Sequence, residues 1–240
     1  MLIQFKNITK IFNKKRVLKN VDFTVNPGEN VVIVGFSGSG KSTILRIISG
    51  LIKPDRGEVI LGDNNIGMVF QYSALFDSMN VYENIAFALK ERKEFRKKYS
   101  EKEIREIVGE KLKLVGLSDI EDKFPSELSG GMQKRVSFAR AIVTNPKIIL
   151  YDEPTAGLDP VSSTVIEDYI VQLKNELKAA SIVVTHQMST IERTADRVIM
   201  LYNGRIVWQG SPEEMMNSSN PYTYQFVNAE REGPMVTPAG

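Results

Sequence analysis

The chain contains no cysteine, which excludes disulfides and thiolate-bound metals and fits a reducing compartment. Long apolar runs are also missing. None approaches the roughly 20 residues of a membrane-spanning helix, and the opening stretch MLIQFKNITK lacks the apolar core of a signal peptide. Charge of one sign is not in excess: 31 Lys and Arg stand against 29 Asp and Glu, a net charge of +2. No global field therefore argues for nucleic acid or an anionic membrane as partner. There are no internal repeats and no low-complexity tract. Histidine is reduced to one residue, His186, at the end of the apolar run Ile182-Val183-Val184. These absences lead to the expectation of a soluble protein that meets a membrane only through a partner. With 240 residues the chain suits one large domain or two modest ones, with a sizeable core.

The periodicity gives the architecture. LIQFKNITKIF and VLKNVDFTV alternate as half-buried strands do, and NPGE turns the chain after the second. NVVIVG is a continuous apolar run, the mark of a strand covered on both faces. It leads through a glycine-rich turn into the helical spacing of KSTILRIISGLI, the opening of an α/β unit. PKIILYDEP and SIVVTH are two more buried-type strands, separated by the helical PVSSTVIEDYIVQLKNELK. DRVIMLYNGRIVWQG predicts a hairpin turning at Asn203-Gly204. Residues 81–144 are helical and charged, with no buried-type strand, so we expect a helical subdomain inserted into a core made of residues 1–80 and 145–217, followed by a tail over 218–240. Within that segment Lys and Glu alternate in KERKEFRKKYSEKEIREIVGEKLKLVGL, as on a solvated helix face.

Three stretches carry chemistry. GFSGSGKST, residues 35–43, fits G-x-x-x-x-G-K-[ST]. Glycines Gly35, Gly38 and Gly40 let the backbone, with Ser37, Ser39 and Thr43, fold tightly around an anion, and the helix that follows adds its positive end. Lys41 reaches the β- and γ-phosphates of a nucleotide, and the Ser42 hydroxyl suits Mg²⁺. IILYDEP ends a strand in two acids, where α/β folds place ligands. Asp152 can hold Mg²⁺ through water, and Glu153 can orient or activate an attacking water. In ELSGGMQKRVSFARAIVTNP, Ser129 can cap a helix with the apolar face Met132, Val136, Ala139 and Val143, stopped at Asn145-Pro146. Gly130 and Gly131 are costly in a first helical turn, and make sense if that helix end must approach a phosphate closely.

In this order the motifs resemble the nucleotide-binding subunit of an ABC transporter over nearly the whole chain: phosphate loop, Gln71 in VFQYSALF, the LSGGM signature, IILYDE, AGLDP at 156–160, and His186. The resemblance implies a P-loop NTPase core with a mostly parallel sheet, an antiparallel β subdomain and an inserted helical subdomain. It implies ATP hydrolysis with Mg²⁺. It makes Phe12 the aromatic that stacks on adenine, Gln71 the link from the metal to the helical subdomain and a membrane partner, and His186 the contact to the γ-phosphate. Asp159 falls across a dimer interface, where a second copy of the chain supplies Ser129, Gly130 and Gly131 to complete the site. Taken singly, Phe12 could be core, Gln71 a strand-end polar residue and Asp159 a helix cap. Met132 departs from the family, many of whose members carry Gln there, and puts only side-chain contacts at that position in doubt.

LYDEPTAGLDPVSS, VVTHQMSTIERTADRV and a tail ending near QFVNAEREGPM resemble the ATPases of Mla/MCE-type lipid transporters. That resemblance implies a transmembrane permease, an MCE-type lipid-binding subunit reached through the complex, and phospholipid as cargo. It places the chain on the cytoplasmic side of the inner membrane, or on the stromal side if plastid-derived. An importer ATPase for a small polar solute is the alternative within the class. A stand-alone kinase leaves the signature helix and His186 unexplained, and a soluble ABC ATPase acting on ribosomes or DNA usually has two cassettes. In the tail, Tyr222, Tyr224 and Phe226 recur at every second residue, which predicts a docked extended segment with all three rings on one side. Beyond about Gly233 we expect weaker order.

Overall fold

The computed structural model describes residues 1–236. β1 (Ile3–Phe12) and β2 (Lys15–Val25) form a hairpin, and β3 (Asn30–Val34) leads through the glycine loop into α1 (Lys41–Ile48). β4 (Arg56–Leu61) and β5 (Ile66–Val69) follow. Then come α2 (Val81–Glu91), α3 (Glu101–Leu114) and α4 (Gly130–Ile142), with no strand between them. The chain returns to the sheet with β6 (Ile148–Asp152), α5 (Pro160–Leu177), β7 (Ala180–Val184) and α6 (Met188–Thr194). β8 (Arg197–Tyr202), β9 (Arg205–Gly210), α7 (Pro212–Met216) and α8 (Pro221–Val227) complete it. Among the described residues no helix is long and apolar enough to cross a membrane.

The larger sheet has the order β5-β6-β7-β3-β8-β9, parallel throughout except for β9. Every residue of β3 and β7 is buried, which is why both read as unbroken apolar runs. Alternation sorts them onto two faces. Val31 and Ile33 join a core with Ile44 and Leu45 of α1 and with Phe5 and Phe23 of the small sheet. Val32 and Val34 join the other core with Ile166 and Ile170 of α5 and Phe138 of α4. The small sheet, β2-β1-β4, is antiparallel. The β8–β9 turn takes positive φ at both Asn203 (48°) and Gly204 (75°), the hairpin geometry that Asn-Gly favours.

Two expectations are corrected. The charged stretch after Lys90 is not one helical face. The chain leaves α2 at Arg92 and turns through residues 92–99, because Ser100 and Glu103 form a reciprocal capping box that starts α3 as a separate helix. The tail is not extended. Asn220 accepts from the Tyr222 N–H as N-cap, and Pro221 stands at the first helical position, so residues 221–227 form α8. In a helix Tyr222 and Phe226 share a face and Tyr224 points away; its exposure is 51%. The Tyr222 ring packs on Tyr202 with centroids 5.6 Å apart.

Nor does anchoring stop at Gly233. Met235 is buried, and the Gln225 side chain both donates to the Met235 carbonyl (3.0 Å) and accepts from its N–H (2.8 Å). The rest of that expectation, residues 237–240, lies outside the described residues.

Candidate nucleotide site

Four neighbouring parallel strands deliver the site at their C-terminal ends. β5 runs into Gln71, β6 into Asp152 and Glu153, β7 into His186, and β3 into the phosphate loop. The ends meet at a cleft of about 670 Å³, lined by Gly35, Ser37, Gly38, Gly40, Lys41, Ser42, Thr43, Gln71, Glu153 and His186. Phe12, the last residue of β1, closes one side of it at 41% exposure, with Lys10 Nζ 5.1 Å from its ring centroid. The antiparallel sheet thus presents an aromatic ring beside the phosphate loop.

The loop itself is set by backbone that only glycine tolerates. At Gly35 (φ 145°) a Cβ would lie 2.1 Å from the Leu201 carbonyl oxygen, and at Gly40 (φ 110°) 2.7 Å from Leu18 Cδ2. Ser39 Oγ is buried without a hydrogen-bond partner among the described residues. Lys41 is buried and folds back so that Nζ donates to the carbonyls of Gly35 (2.7 Å) and Phe36 (3.2 Å). Burial lowers its pKa from the ordinary lysine value, opposed by the charges of Glu153 and Asp152. An anion in the cradle gives this ammonium a stronger partner than two carbonyls.

Ser42 Oγ donates to Asp152 Oδ1 at 3.0 Å. Together with Gln71 this is an all-oxygen donor set with one carboxylate. It fits Mg²⁺, which takes one or two carboxylates, keeps waters and shares substrate phosphates. Among the described residues no group of three His, Asp or Glu side chains could hold a metal alone.

Glu153 follows the strand in a left-handed conformation, φ 47°, its N–H bound to the Val184 carbonyl at 2.9 Å. A non-glycine residue held there is strained, and such strain gathers at functional sites. Its Oε1 lies 3.0 Å from His186 Nδ1, while Oε2 is buried with no donor among the described residues. The histidine side chain is 61% exposed and the glutamate 14%. One carboxylate oxygen is therefore oriented by imidazole, and the other is a buried acceptor left without a donor among the described residues.

The signature residues are not brought to this cleft. Ser129 caps α4, accepting from the Met132 N–H at 3.3 Å, and a Cβ added at Gly130 or Gly131 would meet nothing within 4 Å. Asp159 is also elsewhere, capping α5: its carboxylate accepts from the N–H groups of Val161 and Ser162, both at 3.0 Å, and from Ser162 Oγ at 2.5 Å. These bonds hold its pKa below the ordinary aspartate value.

Sequence reasoning passed over the groups that hold the Gln71 segment. Lys134 Nζ, buried on α4, donates to the Gln71 carbonyl. Arg140 on the same helix donates to the carbonyls of Ser73 (3.0 Å) and Ala74 (2.7 Å), and burial lowers the pKa of both cations. The signature helix is thus bolted to the strand end carrying Gln71. The only signal in the sequence was two cations on the inner side of an amphipathic helix.

Comparison with known proteins agrees with this geometry. A family profile described as "ABC transporter" matches residues 18–156. The chain is 45% identical to "Protein TRIGALACTOSYLDIACYLGLYCEROL 3, chloroplastic" of Arabidopsis thaliana, over 98% of this chain and 76% of that protein. It is 40% identical to "Probable ribonucleotide transport ATP-binding protein mkl" of Mycobacterium tuberculosis (strain H37Rv), over 97% of this chain and 68% of that one. Among solved structures it is similar to the dimeric ATP-binding cassette MJ0796 bound to ADP and Pi, with a TM-score of 0.78 and 34% identity over 88% of this chain and 99% of that one. The chain belongs to the ABC transporter ATPase family. It is an ATP-binding subunit of the kind that works with a transmembrane permease.

Proposed function

We propose that this chain powers a transporter that moves phospholipids between membranes, as a dimer closing on ATP beneath a permease. The observation that carries the catalytic part is the Glu153–His186 pair at the mouth of the phosphate cradle, with one carboxylate oxygen oriented by imidazole and the other buried without a donor among the described residues. The backbone of residues 35–43 and the Lys41 ammonium bind the phosphates, and Phe12 stacks on adenine. Ser42, Asp152 and Gln71 would hold Mg²⁺, which would supply positive charge to the phosphate oxygens. Glu153 orients the attacking water and takes its proton, and His186 keeps the carboxylate aimed through its Nδ1–H and contacts the γ-phosphate.

The dimer is supported by two glycines that the chain's own packing does not need. Glycine costs about 1 kcal/mol in a helix relative to alanine, yet open space surrounds Gly130 and Gly131. A phosphate bound by a second copy, capped by Ser129 and these two backbone N–H groups, accounts for both. Asp159 sits exposed at the start of α5, and in this reading such a partner covers it. The permease is supported by a groove of about 260 Å³ beside the Gln71 segment, lined by Met68, Phe76, Phe87, Arg92 and Arg140. A helix of the permease seated there would press on the segment that Lys134 and Arg140 tie to α4.

Lipid as cargo is supported by the relative whose name carries trigalactosyldiacylglycerol, a diacylglycerol lipid with a sugar headgroup; phospholipid is the diacylglycerol lipid proposed above. With it come the MCE-type lipid-binding subunit and a peripheral place on the cytoplasmic or stromal face of the membrane. The relative named for ribonucleotide transport favours the second reading, a small polar solute. Pull-down of the tagged chain from detergent-solubilised membranes separates the two. A permease with bound phospholipid is the expected result. A permease with a solute-binding protein and no lipid supports the second reading, and recovery of no membrane protein contradicts both.

A further inference from the structure

Glu167, on α5, is fully buried and belongs to no part of the site described above. A carboxylate out of water is costly unless its oxygens are engaged. Oε1 accepts from Ser189 Oγ at 2.9 Å and from Thr190 Oγ1 at 2.8 Å. Oε2 faces Arg193 Nε at 3.1 Å, off the N–H direction, as an ionic contact. All three partners lie on α6, which starts two residues after His186.

Thr190 Oγ1 also lies 3.3 Å from Oγ1 of Thr155, and both residues are fully buried. A carboxylate only accepts, so the Thr190 proton goes to Glu167, and Thr155 must be the donor to Thr190. A directed chain of hydrogen bonds therefore runs from Thr155 through Thr190 to Glu167. Thr155 stands two residues after Glu153, in the turn where the Ala156 N–H binds the Glu153 carbonyl at 3.1 Å and the Leu158 N–H binds the Thr155 carbonyl at 3.2 Å. One buried carboxylate thus fastens the segment after Glu153 and the segment after His186 to the same point of α5.

We propose that Glu167 is a positioning residue for ATP hydrolysis, setting the place of Glu153 relative to His186 through Thr155 and Thr190 on one side and through Ser189 and Arg193 on the other. It touches neither of the pair. The inference rests on the reading of Glu153 and His186 as the reacting pair.

His186 is the only histidine, so NMR of the full chain shows one set of imidazole ring signals, all of them from this residue. Thr190→Val keeps the side-chain shape and removes the relay proton. It should move the His186 ring signal toward its position in Glu153→Gln, and lower kcat in the assembled transporter about tenfold with KM for ATP changed less than about twofold. Glu167→Gln keeps an acceptor for Ser189 and Thr190 and should fall between wild type and Thr190→Val in both readouts. A His186 signal that stays at its wild-type position in Thr190→Val, or a lowered melting temperature with kcat unchanged, overturns the proposal. Thr155→Val serves as the second variant if Thr190→Val does not fold. Normal turnover by Glu153→Gln would sink the catalytic reading instead, and the ring-signal comparison would still decide whether Glu167 sets the geometry.

Discussion

His186 Nδ1 and Glu153 Oε1 lie 3.0 Å apart, on residues that leave adjacent parallel strands 33 positions apart in sequence. The contact gives the histidine a task without nucleotide: it holds the carboxylate that faces the cleft. His186→Ala should lower kcat about 10²-fold, the lower end for loss of a positioned proton-transfer partner. ATP affinity should stay close to wild type, because the cradle of residues 35–43 is untouched. Steady-state hydrolysis and an ATP titration check the two halves separately, and a near-normal rate contradicts the role.

If Ser129 serves a nucleotide bound by the other copy, two dead variants should rescue each other. Ser129→Arg fills the space beside Gly130, and Lys41→Ala loses phosphate binding. Each alone should be inactive, while a mixture should regain activity from heterodimers with one intact site. The check is ATPase activity against mixing ratio, with heterodimers confirmed by mass. Heterodimers without activity would place the signature turn outside the partner's site, provided one intact site suffices.

The tail should be structural rather than frayed. Gln225 is 3% exposed and makes two bonds to the Met235 backbone at 3.0 and 2.8 Å, and Val236 N–H donates to Tyr202 Oη at 3.1 Å. Gln225→Ala removes two bonds worth about 1 kcal/mol each net, which should lower the melting temperature by about 4–8 °C in a chain of this size. Truncation after Ser219 should cost at least as much and should also reduce ATPase activity in the full transporter. Unchanged stability, dimerisation and activity after truncation would return the tail to a frayed end.

What could be read ahead of the structure followed from local pattern. Three of the four strands that carry the cleft, β3, β6 and β7, are apolar runs, while β5, with its half-buried IGMV, carries no such mark, and the residues at their ends stand in motifs whose order is visible in the chain. What could not be read depended on contacts across long separations. Nothing in VIEDYI marks Glu167 as buried, because its partners Ser189 and Thr190 lie 22 and 23 residues away. Lys134 and Arg140 look like ordinary helix cations, since the carbonyls they bind are 63 to 67 residues earlier. The tail failed for a different reason. Aromatics at every second residue fit a strand, but Tyr222 and Phe226 are also four apart, and Asn220-Pro221 is a helix start. The capping signal outweighed the alternation.

The most direct test of the whole account is ATP binding and turnover by Glu153→Gln in the assembled transporter. The substitution keeps the shape of the side chain and its place beside His186 but removes the charge that orients water. ATP should bind at least as tightly as in wild type, the dimer should accumulate in its closed form, and hydrolysis should fall by about 10²-fold or more. Near wild-type hydrolysis would contradict the assignment of Glu153 as the residue that activates water, and with it the mechanism built on the Glu153–His186 pair.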